Sequence, residues 1–201
     1  MRDEALRGAV AAVVLAGGRG TRMGGVDKGL QALDGRPLAQ HVLEALRPQV
    51  AEVCISANRH AEAYRALGAE VIADAWPDFR GPLAGLHAAL ARGTHDWWLA
   101  APCDTPGLPA DLVARLHGAA RARGRPAAYA VVRGEPVYPL CLVQQGCFDD
   151  LQRALRDGQY AVGRWLAGQG AVAVAIDGWD ARLPLNLNTP QRLAAAQSAR
   201  P

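Results

Sequence analysis

An uninterrupted apolar segment near the N-terminus limits the folds that are open to this chain. Ala9 to Ala16 contains no polar side chain and shows no alternation between polar and apolar positions. Such a run predicts a strand that is buried on both faces, as in a parallel sheet that lies between layers of helices. The strand ends at a glycine-rich stretch that begins at Gly17. We therefore expect an α/β fold.

The rest of the chain alternates between strand and helix patterns. Strands are predicted at 52–56, 70–73, 96–101, 127–132, 139–143 and 171–176, and helices at 37–46, 60–67, 83–91, 110–120, 149–156, 160–167 and 190–199. Alternation of this kind predicts right-handed crossovers and a mostly parallel sheet. Since we find no internal repeat and no linker, residues 1–201 are predicted to form a single domain.

Composition and charge exclude several classes of protein. Hydrophobic residues make up 50% and charged residues 20% of the chain, which excludes a wholly disordered protein. A net charge of +3, without a block of like charges, does not suggest a nucleic-acid partner. The longest early apolar run is far shorter than the roughly 20 residues of a membrane span, and no signal-peptide pattern follows the acidic start. The four cysteines show no disulfide or zinc pattern, so we expect reduced thiols in a cytoplasmic protein.

The segment from Leu15 to Lys28 contains the most specific chemistry. It reads L-A-G-G-R-G-T-R-M-G-G-V-D-K, with five glycines, two arginines and one lysine. Glycines let backbone N–H groups approach an anion, and basic side chains neutralise its charge. A Walker loop is excluded because Gly29 follows the lysine, and a dinucleotide fingerprint is excluded because Met23 occupies its third glycine position. The segment therefore indicates a phosphate site of neither common type.

This segment resembles the signature of the MobA-type nucleotidyltransferases, the molybdenum cofactor guanylyltransferases. A looser L-A-G-G-x-G-x-R form is shared by the wider sugar-nucleotide pyrophosphorylase superfamily, and the G-G-V-D-K ending favours the narrower family. Further similarities lie in family order at 57–60, 81–85, 102–106 and 186–190, so the resemblance covers nearly the whole chain. It implies a single-domain, Rossmann-like three-layer sandwich similar to the nucleotide-diphospho-sugar transferases. The part up to about residue 105 would bind GTP and the remainder molybdopterin.

The resemblance also implies roles for individual residues. The implied GTP contacts are Leu15, Ala16, Gly17, Gly18, Lys28, Asn58, Asp74, Gly81 and Asp104. Lys28, Arg22 and Asp104 are the expected catalytic residues; a lysine acts as a point charge on phosphate, and by its own chemistry Arg22 could bind a phosphate bidentately. Asp104 is the expected Mg²⁺ ligand, because Mg²⁺ uses one or two carboxylates together with substrate phosphates. Asn186 and Asn188 are expected to lie near molybdopterin.

The sequence leaves open which group of the nucleotide Asp74 contacts and whether Ser56 contacts the nucleotide. Asp74 could accept hydrogen bonds from the edge of guanine or from a ribose hydroxyl. Ser56 stands where family members carry the first Asn of N-A-N-R-H, and its hydroxyl lacks the paired donor and acceptor of an amide. Asn58 matches the second Asn of that motif.

The implied reaction is an Mg²⁺-dependent transfer of GMP from GTP to molybdopterin with release of pyrophosphate. One alternative is a related nucleotidyltransferase, for molybdopterin cytidylylation or for a sugar phosphate; Gly17 opposes the former, since the cytidylyltransferases read L-A-A-G. A second alternative is a non-catalytic GTP-binding regulator, which loss of Lys28 or Asp104 would favour, and both are present. A Rossmann oxidoreductase is disfavoured by Met23. We expect a monomer with transient contacts to molybdenum-insertion proteins, cofactor chaperones or molybdoenzymes.

Overall fold

A seven-stranded sheet forms the centre of the computed structural model, which describes residues 2–18, 27–74, 76, 81–180, 183–187 and 190–198. The strands are β1 (Val10–Leu15), β2 (Ala32–Leu33), β3 (Arg36–Pro37), β4 (Glu52–Ser56), β5 (Glu70–Ile72), β6 (Trp97–Pro102), β7 (Ala127–Val132), β8 (Glu135–Gln144) and β9 (Val172–Ala175). The main sheet has the order β5-β4-β1-β6-β8-β7-β9, and β2 pairs with β3 in a separate hairpin. All main-sheet pairs are parallel except those of β8, which runs antiparallel to both of its neighbours. The predicted mostly parallel sheet is confirmed.

Helices cover both faces of this sheet. They are α1 (Arg2–Ala9), α2 (Leu38–Leu46), α3 (Ala61–Arg65), α4 (Pro82–Leu90), α5 (Leu112–Ala122), α6 (Phe148–Arg156), α7 (Val162–Gly168) and α8 (Pro190–Ser198). Val10, Ala12 and Val14 pack with α2 and α5, whereas Ala11 and Val13 pack with α4, α6 and α7. Alternate residues of β1 therefore enter two different cores, which explains why the strand is apolar throughout. This is the three-layer sandwich that the sequence predicts.

Tight turns create the antiparallel part of the fold. Arg133 and Gly134 join β7 to β8 with φ angles of 53° and 79°, and Asp34 and Gly35 join β2 to β3 with φ angles of 52° and 73°. Two consecutive residues with positive φ are typical of the type I′ turn, whose twist suits a two-residue hairpin. Thus β8 lies between β6 and β7 and interrupts the parallel order.

The parallel half of the sheet positions the site. β1, β4, β5 and β6 run in one direction, so their carboxyl ends meet at one edge. Ligands of open α/β sheets bind outside that edge. A smaller apolar cluster, which includes Leu33 of the hairpin and Leu187 and Leu193 of the C-terminal segment, joins the hairpin to that segment. Among the described helices, none combines the length and the apolar character that crossing a bilayer requires.

Candidate functional site

The loops after β1, β4 and β6 are held side by side by backbone hydrogen bonds that continue past the strands. The amide of Ala16 donates to the carbonyl of Ser56 at 2.8 Å, and the amide of Cys103 donates to the carbonyl of Leu15 at 3.2 Å. The structure therefore brings together three segments that are far apart in sequence. Each of them carries residues that the sequence predicts to be functional.

The described part of the glycine-rich loop lies directly beside the loop that follows β4. A Cβ placed on Gly17 would lie 3.7 Å from Nδ2 of Asn58, and the carbonyl of Gly18 accepts a hydrogen bond of 3.1 Å from Arg59. The next eight residues, with Arg22 among them, lie outside the described residues, as does Asn188. The expected roles of Arg22 and Asn188 stay predictions.

The chain is described again from Asp27, where a short 3₁₀ turn begins. The carboxylate of Asp27 caps this turn by accepting a hydrogen bond from the amide of Gly29 at 3.2 Å. The same carboxylate oxygen accepts a hydrogen bond from the hydroxyl of Tyr64, the buried tyrosine of α3. Lys28 is the first residue of the turn. The Asp27 carboxylate therefore fixes the backbone before and after Lys28 to the buried Tyr64.

Asp104 lies just past β6, in a turn that two hydrogen bonds hold in place. Thr105 donates its hydroxyl to the carbonyl of Pro102 at 2.7 Å, and the amide of Leu187 donates to the carbonyl of Asp104 at 3.0 Å. The second bond brings the C-terminal segment that contains Asn186 to this turn. Asn186 itself accepts a hydrogen bond from Arg192.

Lys28 and Asp104 lie close enough for their charges to interact. Burial raises the pKa of the Asp104 carboxyl, and the positive charge of Lys28 and a backbone hydrogen bond oppose that rise. Burial and the carboxylate of Asp104 raise the pKa of the neighbouring Cys103, so this residue is a protonated thiol at neutral pH. A thiol in that state is a poor nucleophile. This state opposes a nucleophilic role for Cys103 and leaves Lys28 and Asp104 as the predicted catalytic residues at this edge of the sheet.

Asn58 and Asp74 form a second pair at the same edge. Nδ2 of Asn58 donates to Oδ2 of Asp74 at 2.6 Å, and Oδ1 of Asn58 accepts from the backbone amide of Asp74 at 3.1 Å. The side-chain amide of Asn58 thus holds Asp74 through two bonds, one to its carboxylate and one to its backbone. The sequence predicts both residues as GTP contacts but does not predict that they bind each other.

Gly81 caps the N-terminus of helix α4 with a backbone conformation that favours glycine. Its φ is 77°, and Pro82 occupies the first helical position after it. One turn further on, Gly85 lies so close to β1 and β4 that an added Cβ would be 2.7 Å from both Cδ2 of Leu15 and Oγ of Ser56. Helix α4 therefore packs directly against the strand ends at the site. Sequence reasoning gave no role to Gly85 or Tyr64: Gly85 allows close packing, and Tyr64 bonds Asp27.

A glycine-rich loop beside a lysine and a carboxylate, outside the carboxyl ends of parallel strands, is typical of proteins that handle nucleoside triphosphates. Together with the comparisons that follow, it defines the class of this protein, a nucleotidyltransferase. The chain belongs to the MobA-like NTP transferase domain family, whose family model matches residues 12–173.

Individual relatives point in the same direction. The chain is 48% identical over 196 residues to the molybdenum cofactor guanylyltransferase of Burkholderia lata, covering 92% of this chain and 94% of the relative. It is 44% identical over 189 residues to the protein of the same name from Ralstonia nicotianae, covering 90% and 92%. Among solved structures, molybdopterin-guanine dinucleotide biosynthesis protein A from Archaeoglobus fulgidus superimposes with a TM-score of 0.75 at 26% identity, covering 94% of this chain and 97% of that one.

These findings confirm the family, the fold and the class of enzyme that the sequence predicts. The names of the close relatives agree with the predicted guanylyl transfer rather than with cytidylyl or sugar-phosphate transfer. The Rossmann oxidoreductase alternative is excluded by the family. The roles of individual side chains are not tested by the comparisons and stay predictions.

Proposed function

We propose that this protein transfers GMP from GTP to the terminal phosphate of molybdopterin and releases pyrophosphate. The observation that carries the proposal is that the charge of Lys28 acts on the carboxyl group of Asp104, in a turn that the amide of Cys103 bonds to Leu15. The names of the relatives support it, because guanylyl transfer to the molybdenum cofactor is the activity that they state.

We assign the triphosphate to the main chain of Leu15 to Gly18 and to the side chain of Lys28. An ammonium group neutralises charge that moves toward the leaving pyrophosphate, and a group prepositioned for developing charge accelerates such a reaction. The attacking phosphate is already ionised at neutral pH, so no side chain has to remove a proton. Positioning of the two substrates then supplies much of the acceleration.

We propose Mg²⁺ as the divalent ion and Asp104 as its protein ligand. The carboxyl group of Asp104 supports this assignment, since burial raises its pKa and the charge of Lys28 and a backbone hydrogen bond offset only part of that effect. A second cation would favour the ionised form further. Mg²⁺ is commonly bound by one or two carboxylates together with substrate phosphates and water. When bound, it would offset negative charge on the phosphate oxygens.

We assign the guanosine part of GTP to the Asn58–Asp74 pair and to Gly81. Asn58 bonds Oδ2 of Asp74, which leaves Oδ1 as an acceptor for the guanine edge or a ribose hydroxyl. A carboxylate that the protein already orients by a hydrogen bond loses less conformational entropy when a ligand binds it. This arrangement supports Asp74 as a contact that selects the nucleoside.

We assign molybdopterin to the C-terminal side of the site, near Asn186 and Asn188. The hydrogen bond between Leu187 and Asp104 supports this assignment because it joins that segment to the proposed metal ligand. The division of the chain near residue 105 into a GTP part and a molybdopterin part belongs to the same proposal. We further propose a cytoplasmic monomer that meets molybdenum-insertion proteins, cofactor chaperones or molybdoenzymes transiently; the four free, buried cysteines are compatible with a reducing compartment.

The decisive experiment combines the purified protein with molybdopterin, Mg²⁺ and GTP, ATP or CTP in separate reactions. Pyrophosphate and the dinucleotide product are measured in each. We expect turnover with GTP and little with ATP or CTP, because a site that hydrogen-bonds one base edge leaves its own polar groups unpaired with another base. Equal rates with CTP would contradict the guanylyl assignment. Binding of GTP without any product would favour the regulator.

A further inference from the structure

A buried tyrosine is bonded to the residue that precedes the proposed phosphate-binding lysine. Tyr64 is 0% exposed and Asp27 is 8% exposed. The Tyr64 hydroxyl donates to Oδ1 of Asp27, and this oxygen also accepts the amide of Gly29. One carboxylate oxygen thus joins helix α3 to the turn that contains Lys28.

The space around this contact is matched to the tyrosine. A Cβ on Gly29 would collide with the Tyr64 hydroxyl oxygen and would lie 3.1 Å from Cε1 of the ring. The φ of Gly29 is not among the positive values, so its glycine is required by the close approach of the ring rather than by its backbone. The turn therefore needs glycine at position 29 to leave room for the ring of Tyr64.

The charge of Asp27 makes the contact costly to lose. A buried carboxylate is tolerated when hydrogen bonds replace its water, and removing one donor leaves a desolvated charge with too few partners. Burial and the hydrogen bond to Asp27 raise the pKa of Tyr64, so its hydroxyl stays a donor at neutral pH. Without that donor we expect the turn to shift toward water, and Lys28 to shift with it.

We propose that Tyr64 is a positioning residue for guanylyl transfer, which fixes Lys28 at the triphosphate through Asp27 and the Gly29 turn. The inference rests on the proposed function, because it takes Lys28 to be the phosphate ligand. A lysine ammonium ends a flexible four-carbon stem, so the protein can place it only by fixing the backbone that carries it. A displacement of about 1 Å can lower a rate by about a hundredfold.

The test is a double-mutant cycle of Tyr64→Phe and Lys28→Ala. We expect Tyr64→Phe to lower kcat/KM for GTP by about tenfold or more. In the Lys28→Ala background the same change is expected to alter kcat/KM by less than about twofold, because the group through which it acts is gone. The exposed Tyr160 offers a matched control, and Tyr160→Phe is expected to leave GTP affinity unchanged. A Tyr64→Phe variant with wild-type kcat/KM overturns the proposal, and so does an equal loss in both backgrounds.

Titration calorimetry with GTP alone, without molybdopterin, repeats the cycle independently of turnover. If the wild type makes no product but the binding cycle is non-additive, the proposed function fails and the link between Tyr64 and Lys28 stands. If the wild type makes product and both cycles are additive, only the link fails. Thermal melts establish that each variant is folded.

A second variant covers the case in which Tyr64→Phe does not fold. Asp27→Ser keeps an oxygen that can accept from the amide of Gly29, since serine is a good cap, but its side chain is one atom shorter and loses the carboxylate that the tyrosine binds. It is expected to show the same loss of kcat/KM and the same non-additivity with Lys28→Ala. Wild-type kcat/KM in folded Asp27→Ser overturns the proposal.

Discussion

Gly85 allows helix α4 to approach the strand ends beneath the glycine-rich loop, and the structure defines the cost of enlarging it. A Cβ at this position would be 2.7 Å from Cδ2 of Leu15 and 2.7 Å from Oγ of Ser56, closer than real Cβ atoms approach other heavy atoms. Ser56 is only 2% exposed, so it has little space into which to move. In Gly85→Ala, either α4 or the ends of β1 and β4 must shift.

The change in the free energy of unfolding caused by Gly85→Ala is the sum of two opposing contributions. Overpacking a well-packed core costs about 1–3 kcal/mol, and replacing a glycine inside a helix by alanine returns about 0.5–1 kcal/mol. Gly118 supplies the matched control, because it lies within α5 and a Cβ there would meet nothing within 4 Å. The difference between Gly85→Ala and Gly118→Ala therefore isolates the steric cost, about 2 kcal/mol. For a chain of this length we expect Gly85→Ala to melt about 4–8 °C below Gly118→Ala.

The assay is thermal unfolding of both variants at equal protein concentration and pH, followed by calorimetry or circular dichroism. Ser56→Ala in the Gly85→Ala background is expected to recover part of the loss, because it removes one of the two atoms that collide. Gly85→Ala is also expected to bind GTP more weakly than Gly118→Ala, since Leu15 begins the proposed triphosphate loop. Equal melting temperatures for the two alanine variants would refute the steric reasoning.

Three other predictions concern the site and its surroundings. Asp104→Ala is expected to fold normally and to lower turnover about a hundredfold or more, since it removes a group that acts on transition-state charge; a near-normal rate across a range of Mg²⁺ concentrations would contradict this role. Asn58→Ala is expected to lower the ratio of kcat/KM for GTP to that for ATP, because the Asp74 carboxylate loses the amide that orients it; an unchanged ratio would show that the pair does not select the nucleoside. Burial and the charge of Arg156 lower the pKa of His87 in the folded chain. Below about pH 6.5 this side chain therefore binds a proton more readily in the unfolded chain than in the folded chain, so the free energy of unfolding falls as the pH falls. Urea unfolding at pH 7.5 and 5.5 is therefore expected to show a larger loss for the wild type than for His87→Gln, and equal losses would refute the assignment.

Most of the regular elements could be predicted because their sequence patterns are local. β1 and β6 are short apolar runs and β4 has an apolar centre, and these apolar residues lie between helical layers. Helix α1 was not predicted, because half of the residues of Arg2–Ala9 are charged and the helix depends on a contact distant in sequence, the bond from Arg7 to the carbonyl of Val50.

Other parts of the fold were predicted only in part. β8 begins at Glu135 rather than at Pro139, because its first residues are exposed on the turn side and its pairing with β7 is irregular between Tyr129 and Ala130. The β2–β3 hairpin was missed although Asp34-Gly35 is a strong turn signal, since its strands of two residues are too short to show a period. In both cases the pairing partner, and not the local pattern, decides the structure.

In the candidate site, too, the positions of residues after strands could be predicted from the local sequence, whereas contacts between distant segments could not. The sequence places Lys28 and Asp104 after strands, and parallel strand order then brings them to one edge. It could not predict that Asn58 binds Asp74, or that Tyr64 binds Asp27, because these contacts depend on side-chain directions in segments 16 and 37 residues apart.

Ser56 shows how such contacts change the interpretation of a motif. The departure from the family's first Asn falls on a residue whose carbonyl accepts the Ala16 amide and whose hydroxyl lies against Gly85. A side chain in this place is used for packing α4 onto the sheet, and its 2% exposure leaves little surface for a nucleotide. Polar recognition of the nucleoside at this edge then depends on the next side-chain amide, that of Asn58. This residue is exposed and is bonded to Asp74. Nucleoside selection in this protein is therefore expected to depend more on the Asn58–Asp74 pair than on residue 56.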